Sequence, residues 1–378
     1  MFIFDILIFL FILGIVVMVH ELGHFLGAKL SRVKVEEFGI GFPPRIWKKQ
    51  VGETLYVVGA TPFGGYNKIY GMDEIDPEKD KDPKSYEAKG PVAKSLICLG
   101  GVIMNLLFAV LLFYFLVIGS GFKMSQNMIL DNYKFPFGTQ EDHPLLVAVD
   151  SNSPAEAAGL KPRDVILSIN GKTMNTADDL GAEVDANLGK SIQITYYNLD
   201  TRVTAETSVI PRTQISATEG PLGVGLGNMS FLEYKTVSDK LLCGFEHTYN
   251  FVDYSLRAMG SLIGSSVKER SVEPLANSMT GPVGIFAITK VVSREGLVAI
   301  INLVALLSIA LGVSNLLPIP AMDGAKFIYV ILETINKKVF TKELQMKIEQ
   351  VGMAFLIVLA LALVFKDFWQ FKDIIFGA

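Results

Sequence analysis

Val19-His20-Glu21-Leu22-Gly23-His24-Phe25 closes an almost uninterrupted run of Phe, Ile, Leu, Val and Met at residues 2–19, in which Asp5 is the single charge. A run of that length and polarity crosses a bilayer as one helix. On such a helix His20 and His24, four residues apart, stand on one face and can share one ion. Glu21 lies beside them, a carboxylate able to take a proton from water activated by a divalent ion and to pass it to a leaving amine. With four histidines in 378 residues, chance is a poor account of the pattern. Ionisable groups are costly to bury at membrane depth and mark a functional site there.

Composition agrees with a membrane chain. Half the residues are hydrophobic, 25 are Phe and the net charge is -4, with a mean hydropathy of +0.40. The absence of a basic bias argues against nucleic acid as a partner. Cys98, in an apolar span, and Cys243 make neither a disulfide framework nor a thiolate metal site.

Residues 1–28 contain no Lys or Arg, whereas Lys29, Arg32 and Lys34 follow at once, which puts the amino terminus outside the cytoplasm. A cleaved signal peptide is the competing reading, and it lacks a basic n-region and a small-residue cleavage site. Residues 30–91 then form a cytoplasmic loop with strand character at 35–40 and 53–61, ending in Pro62-Phe63-Gly64-Gly65-Tyr66. It reads as a membrane-reentrant β element whose edge takes up an extended substrate, or as an ordinary loop. The second span is 92–119. There Gly100-Gly101 permit close helix contact, and Asn105 is either interhelical glue or part of a site.

From Ser120 the chain reads as a water-exposed module. It has a strand at 145–150, a short helix capped by Ser153, a strand at 164–169, the hairpin turn Asn170-Gly171, a helix at 176–188, and strands at 191–197 and 204–210. Residues 120–215 form this module, and 216–296 an amphipathic and linker region lying on the outer membrane surface. The glycines of 221–227 lack a phosphate-loop fingerprint, and His143 and His247 read as packing or surface residues. The third segment, 297–324, is broken by Pro318 and Pro320 at membrane depth, with Asn315 and Asp323 on either side. The Asp323 carboxylate either joins the ion held by His20 and His24 or caps the following helix. A cytoplasmic stretch, 325–350, is marked by Lys326, Lys337, Lys338, Lys342 and Lys347. The fourth span and tail, 351–378, carry Phe368 and Trp369 as an interfacial belt.

HELGH together with Asn315-Leu316-Leu317-Pro318-Ile319-Pro320-Ala321-Met322-Asp323-Gly324 resembles the site-2 protease family of intramembrane zinc metalloproteases, whose NxxPxPxxDG pattern it fits at each fixed position. Gly64-Gly65-Tyr66, Gly100-Gly101 to Asn105 and Gly281-Pro282-Val283-Gly284-Ile285 extend the resemblance over the chain. The regulator-of-sigma-factor branch, with an extracytoplasmic PDZ domain, is similar. The resemblance implies that His20, His24 and Asp323 bind Zn2+, that Glu21 is the base, that Asn315 contacts substrate or oxyanion, and that Gly64, Gly65 and Tyr66 support the strand receiving an unwound substrate. Two positions depart from the pattern: Asn67 stands where an apolar residue is usual, and Arg163 where the PDZ turn usually has glycine.

The expected fold is a polytopic α-helical membrane protein with four transmembrane helices, a membrane-associated β element and an inserted α+β PDZ-like domain. It sits in the bacterial inner membrane with both termini extracytoplasmic. The expected substrates are single-span membrane proteins in the lipid bilayer, with the PDZ-like domain contacting trimmed substrate ends. The release of an anti-sigma-factor fragment and the clearance of signal-peptide remnants are the processes it would serve. A structural-metal scaffold does not account for Glu21 and an open fourth position on the ion. A zinc transporter needs further ligands through several spans.

Overall fold

The computed structural model describes residues 2–128, 130, 133–214, 220–336 and 340–376, so Lys337 and Lys338 lie outside the described residues. The chain divides into two compact units, residues 1–116 with 247–378, and residues 117–246.

The first unit opens with α1 (Phe2–Leu30), which carries the HELGH run in its C-terminal third. Strands β1 (Val35–Val51) and β2 (Thr54–Ile69) follow and form a two-stranded sheet. The register is doubled: Gly39 lies opposite both Val57 and Tyr66, so residues 35–40 are an inner segment and 65–69 pair only with them. That outer segment packs beside α1, because Gly65 has no side chain. A Cβ there would stand 3.1 Å from Glu21 Cγ. Next comes α2 (Pro91–Gly119). It meets α1 backbone to backbone, and a Cβ at Gly23 would fall 2.1 Å from Gly100 O. Glycine at both faces is what allows this approach.

The second unit is an α+β module with β3 (Lys123–Met128), β4 (Thr139–Val149), α3 (Pro154–Ala157), β5 (Asp164–Ile169), β6 (Lys172–Thr173), α4 (Ala177–Asp185), β7 (Ile192–Asn198), β8 (Val203–Val209) and β9 (Val224–Glu233). The sheet order is β3-β9-β4-β5-β7-β8, with β6 beside β5. Leu146, Ile166, Ile169, Met174, Leu180, Ile192 and Ile194 fill its core. Local signals act as their chemistry dictates. Ser153 Oγ accepts from Glu156 N at 3.1 Å, and Thr176 and Asp179 form a capping box at α4. Asn170 and Gly171 turn the chain at φ 51° and 79°. Arg163 adopts φ 75°, the backbone shape for which glycine is the ordinary choice. Its amide donates to Leu146 O at 2.7 Å and its carbonyl accepts from Leu199 N at 3.2 Å.

One boundary needs correction. The sequence reading ended the module at 215 and gave residues 216–296 to a linker. Yet β9 lies between β3 and β4 in the sheet, and its Met229, Ser230 and Leu232 are buried. Its alternation is diluted by Gly225 and Gly227, which lie over Val147 and Ala148 of β4, so the run looked like a loop.

The chain then returns to the first unit through α5 (Val237–Glu269), followed by α6 (Glu273–Ser278), α7 (Pro282–Val292), α8 (Leu297–Asn315), α9 (Asp323–Ile335) and α10 (Lys342–Phe376). Among the described residues four helices are long and apolar enough to cross a membrane: α1, α2, α8 and α10. The last begins at Lys342, nine residues before the 351 read from hydropathy, because the polar stretch 342–350 continues the same helix. Asp367 of α10, fully buried, accepts from Gly281 N at 2.8 Å and Gly284 N at 2.9 Å. It thereby holds the amino terminus of α7 and accounts for the glycines of Gly281-Pro282-Val283-Gly284.

Candidate metal centre

Between α8 and α9 the chain leaves the helix over residues 316–322, with Ala321 at φ 72°. Pro318 and Pro320 withhold the amides a continuous helix needs. The turn is packed tightly on both sides. A Cβ at Gly324 would lie 2.3 Å from Leu316 O, and one at Gly352 of α10 would lie 2.3 Å from Pro320 Cβ. The effect is to set Asp323 at the start of α9 with its carboxylate facing α1. The cap of α9 is Met322, whose side chain makes no capping bond.

His20, His24 and Asp323 converge, their ligand atoms all within 4.8 Å of one another. Asp323 Oδ2 lies 3.0 Å from His20 Nε2 and 3.2 Å from His24 Nε2, and the two Nε2 atoms are 3.2 Å apart. Both rings are buried. His24 Nδ1 donates to Ile97 O at 2.8 Å, so its Nε2 presents a lone pair. Asn105 is buried in α2 with its Nδ2 3.4 Å from His20 Nδ1, and its Oδ1 has no hydrogen-bond partner among the described residues.

The Nε2 atoms of both imidazoles and Asp323 Oδ2 thus converge on one point, the lone pair of His24 Nε2 among them. An ion at that point would be shared by all three. A tetrahedral ion about 2.0–2.1 Å from each ligand separates them by about 3.3 Å, close to the spacings here. Two imidazoles and one carboxylate are a zinc donor set with one position left for water.

Glu21 is held next to this cluster. Asn67 Nδ2 donates to Glu21 Oε2 and to Glu21 O, each at 2.7 Å. The remaining sequence candidates fall at different distances from the chemistry. Gly65 lies against Glu21, as described above. Gly64 adopts φ 83° with Phe42 filling the space a side chain would need. Tyr66 lays its ring over Gly39 and donates its hydroxyl to Glu37, which also receives Arg45 Nη2 at 2.7 and 2.8 Å. Asn315 donates to Leu311 O at 2.9 Å and is not part of the three-ligand cluster. Away from the centre, His247 packs its ring on Phe113 and Phe251, and burial pushes its imidazole down to about 3. Cys98 and Cys243 are both buried and free.

Three contributors escaped assignment from sequence. Asn105 was legible as a polar residue in an apolar span. Asn67 stood out as a polar substitution in an otherwise familiar run. Gly101 reads as a packing glycine, whereas a Cβ there would stand 2.5 Å from His24 Nε2 and 2.6 Å from His20 Cε1.

Four apolar helices and a two-histidine, one-carboxylate centre with an adjacent glutamate define a membrane zinc metalloprotease. The chain belongs to peptidase family M50, the site-2 protease family, whose model matches residues 8–359. It is similar to proteins provisionally named zinc metalloproteases in several bacteria. The Clostridium acetobutylicum protein is 29% identical over 364 residues, covering 96% of this chain and 97% of its own length. That of Nostoc is 30% identical over 370 residues, 95% and 94% of the two chains. That of Fusobacterium nucleatum is 31% identical over 369 residues, 96% and 98%.

Proposed function

We propose that this metalloprotease cuts a peptide bond within or beside the transmembrane segment of single-span membrane proteins. The observation that carries the reading is the position of the centre: His20, Glu21 and His24 lie on a 29-residue apolar helix, with the outer β segment 65–69 beside Glu21. A helix shields its peptide bonds, and hydrolysis needs one exposed. Addition of an extended substrate to the outer segment would present one. Gly64 and Gly65 keep that approach narrow, and Tyr66, fixed by Glu37, stiffens it. Asn315 faces the substrate or its oxyanion once α8 and the 316–322 turn embrace it.

In this reading His20, His24 and Asp323 hold the zinc, which when bound lowers the pKa of water and polarises the scissile carbonyl. Glu21 takes the proton from the attacking water and delivers it to the leaving amine. Ile97 O keeps the His24 proton on Nδ1, so its ligating nitrogen stays unprotonated.

The domain assignment follows. α1, α2, α8 and α10 are the four spans of an inner-membrane protein with both termini extracytoplasmic, consistent with Lys29 in the last turn of α1 and Arg32 and Lys34 just beyond it. The 117–246 unit is the PDZ-like domain on the extracytoplasmic side, where it meets the trimmed ends of substrates. Regulated release of an anti-sigma factor or removal of signal-peptide remnants is the process such a cut serves. The test is incubation of the purified protein in detergent with a panel of tagged single-span membrane proteins, with products mapped by mass spectrometry. New termini inside a transmembrane segment support the reading. Cuts confined to soluble domains refute it.

A further inference from the structure

Asn67 lies across the helix that carries the proton acceptor. Its Nδ2 reaches Glu21 Oε2 and Glu21 O, both at 2.7 Å, so one amide nitrogen grips the side chain and the main chain of the same residue. Both partners are acceptors, which decides the end of the amide that faces them. A glutamate on a helix otherwise samples several rotamers. Here Gly65 backs its Cγ from the strand side while Asn67 holds its tip. The resembled family usually has an apolar residue at this place in the run Gly64-Gly65-Tyr66-Asn67-Lys68, and an apolar side chain makes neither bond.

We propose that Asn67 is a positioning residue for the Glu21 carboxylate. It commits Oε2 to the β segment and leaves Oε1 as the oxygen that meets the reacting water. Because Asn67 sits in the outer β segment, opposite Phe38 of the inner one, the aim of the base depends on how that outer segment is seated, and a substrate strand added there acts on the base directly. Asn67 acts through Glu21 and touches no reacting atom. The assignment rests on Glu21 being the base.

The experiment uses full-length protein in detergent and a tagged single-span substrate that the wild type cuts, with kcat, KM and bound zinc measured for Asn67→Val and Asn67→Asp. Valine removes the donor. Aspartate keeps the shape and replaces the donor with an acceptor. Loss of a hydrogen bond to a charged group at this position lowers kcat on the order of 10–100-fold, with KM within about twofold and about one zinc per chain. The proposal is overturned if a zinc-loaded variant keeps kcat within about threefold of wild type, or if KM rises while kcat holds. Loss of zinc from both variants also overturns it, since Asn67 would then hold the centre together without aiming the base. Glu21→Gln is assayed alongside. Wild-type turnover in that variant would end the assignment of the base whatever Asn67 does, so the two failures are distinguishable.

Discussion

Gly101→Ala is the most demanding test of the way α1 and α2 build the centre. The added methyl would stand 2.5 Å from His24 Nε2, 2.6 Å from His20 Cε1 and 2.7 Å from His20 Nδ1. Ordinary contact begins at 3.4 Å, so each imidazole must retreat by about 0.7–0.9 Å or the helices must part by as much. The helices cannot part cheaply, because Gly23 and Gly100 meet through backbone atoms that have no rotamer to change. Overpacking of this kind costs about 1–3 kcal/mol. Zinc ligation tolerates about 0.2 Å, so most of the displacement falls on affinity. The expected loss is at least the 10–100-fold typical of disturbing a ligand's supporting contacts, roughly 1.4–2.8 kcal/mol. Competition of the purified variant against a zinc chelator of known affinity reads this directly, and thermal unfolding separates it from global destabilisation. Wild-type zinc affinity in a folded Gly101→Ala protein would refute the backbone-contact geometry.

Three further outcomes follow from other parts of the molecule. Asp367→Ala removes two charge-assisted bonds to the α7 amino terminus and should destabilise the protein by about 3 kcal/mol, with faster hydrogen exchange at the Gly281 and Gly284 amides. Unchanged exchange would deny that α10 holds α7 through this carboxylate. Arg163→Gly relieves a left-handed backbone at φ 75° and gives up one exposed ion pair to Asp200. It should stabilise the full chain by about 0.5–1 kcal/mol, read as a raised unfolding temperature. His247 has its imidazole pushed down to about 3 by burial, below its ordinary 6.5, so it is neutral when folded and takes a proton on unfolding. Stability from this group is full above pH 6.5 and falls as pH drops, by about 2 kcal/mol at pH 5. His247→Gln should flatten unfolding free energy between pH 7 and 5, and an unchanged slope would refute the assignment.

The residues that gather at the centre were legible because each obeys a constraint that sequence exposes. His20 and His24 show helical spacing inside an apolar run, and Asp323 follows prolines that forbid a continuous helix at membrane depth. The contacts that position them were not legible, since they depend on which backbones touch. Nothing in the chain says that Ile97 O rather than another carbonyl holds His24, or that Gly101 faces imidazoles rather than lipid. The same holds for the β elements. The hairpin around 35–69 shows in its alternation, but the doubled register that leaves 65–69 on the outside depends on pairing between segments about thirty residues apart. β9 was hidden for a local reason, its glycines at 225 and 227 breaking the alternation that a strand usually shows. Asn67 shows in the sequence only as a departure from an apolar position, since its partner Glu21 lies 46 residues away in α1.

If one zinc is held by His20, His24 and Asp323 while Glu21 moves the proton, two variants separate the roles. Metal content by atomic absorption and cleavage of a single-span substrate are measured for Asp323→Ala and Glu21→Gln in parallel with wild type. Asp323→Ala should lose both zinc and activity, whereas Glu21→Gln should keep zinc at about one per chain and lose activity. A zinc-loaded, active Asp323→Ala protein, or undiminished cleavage by Glu21→Gln, would rule out these roles.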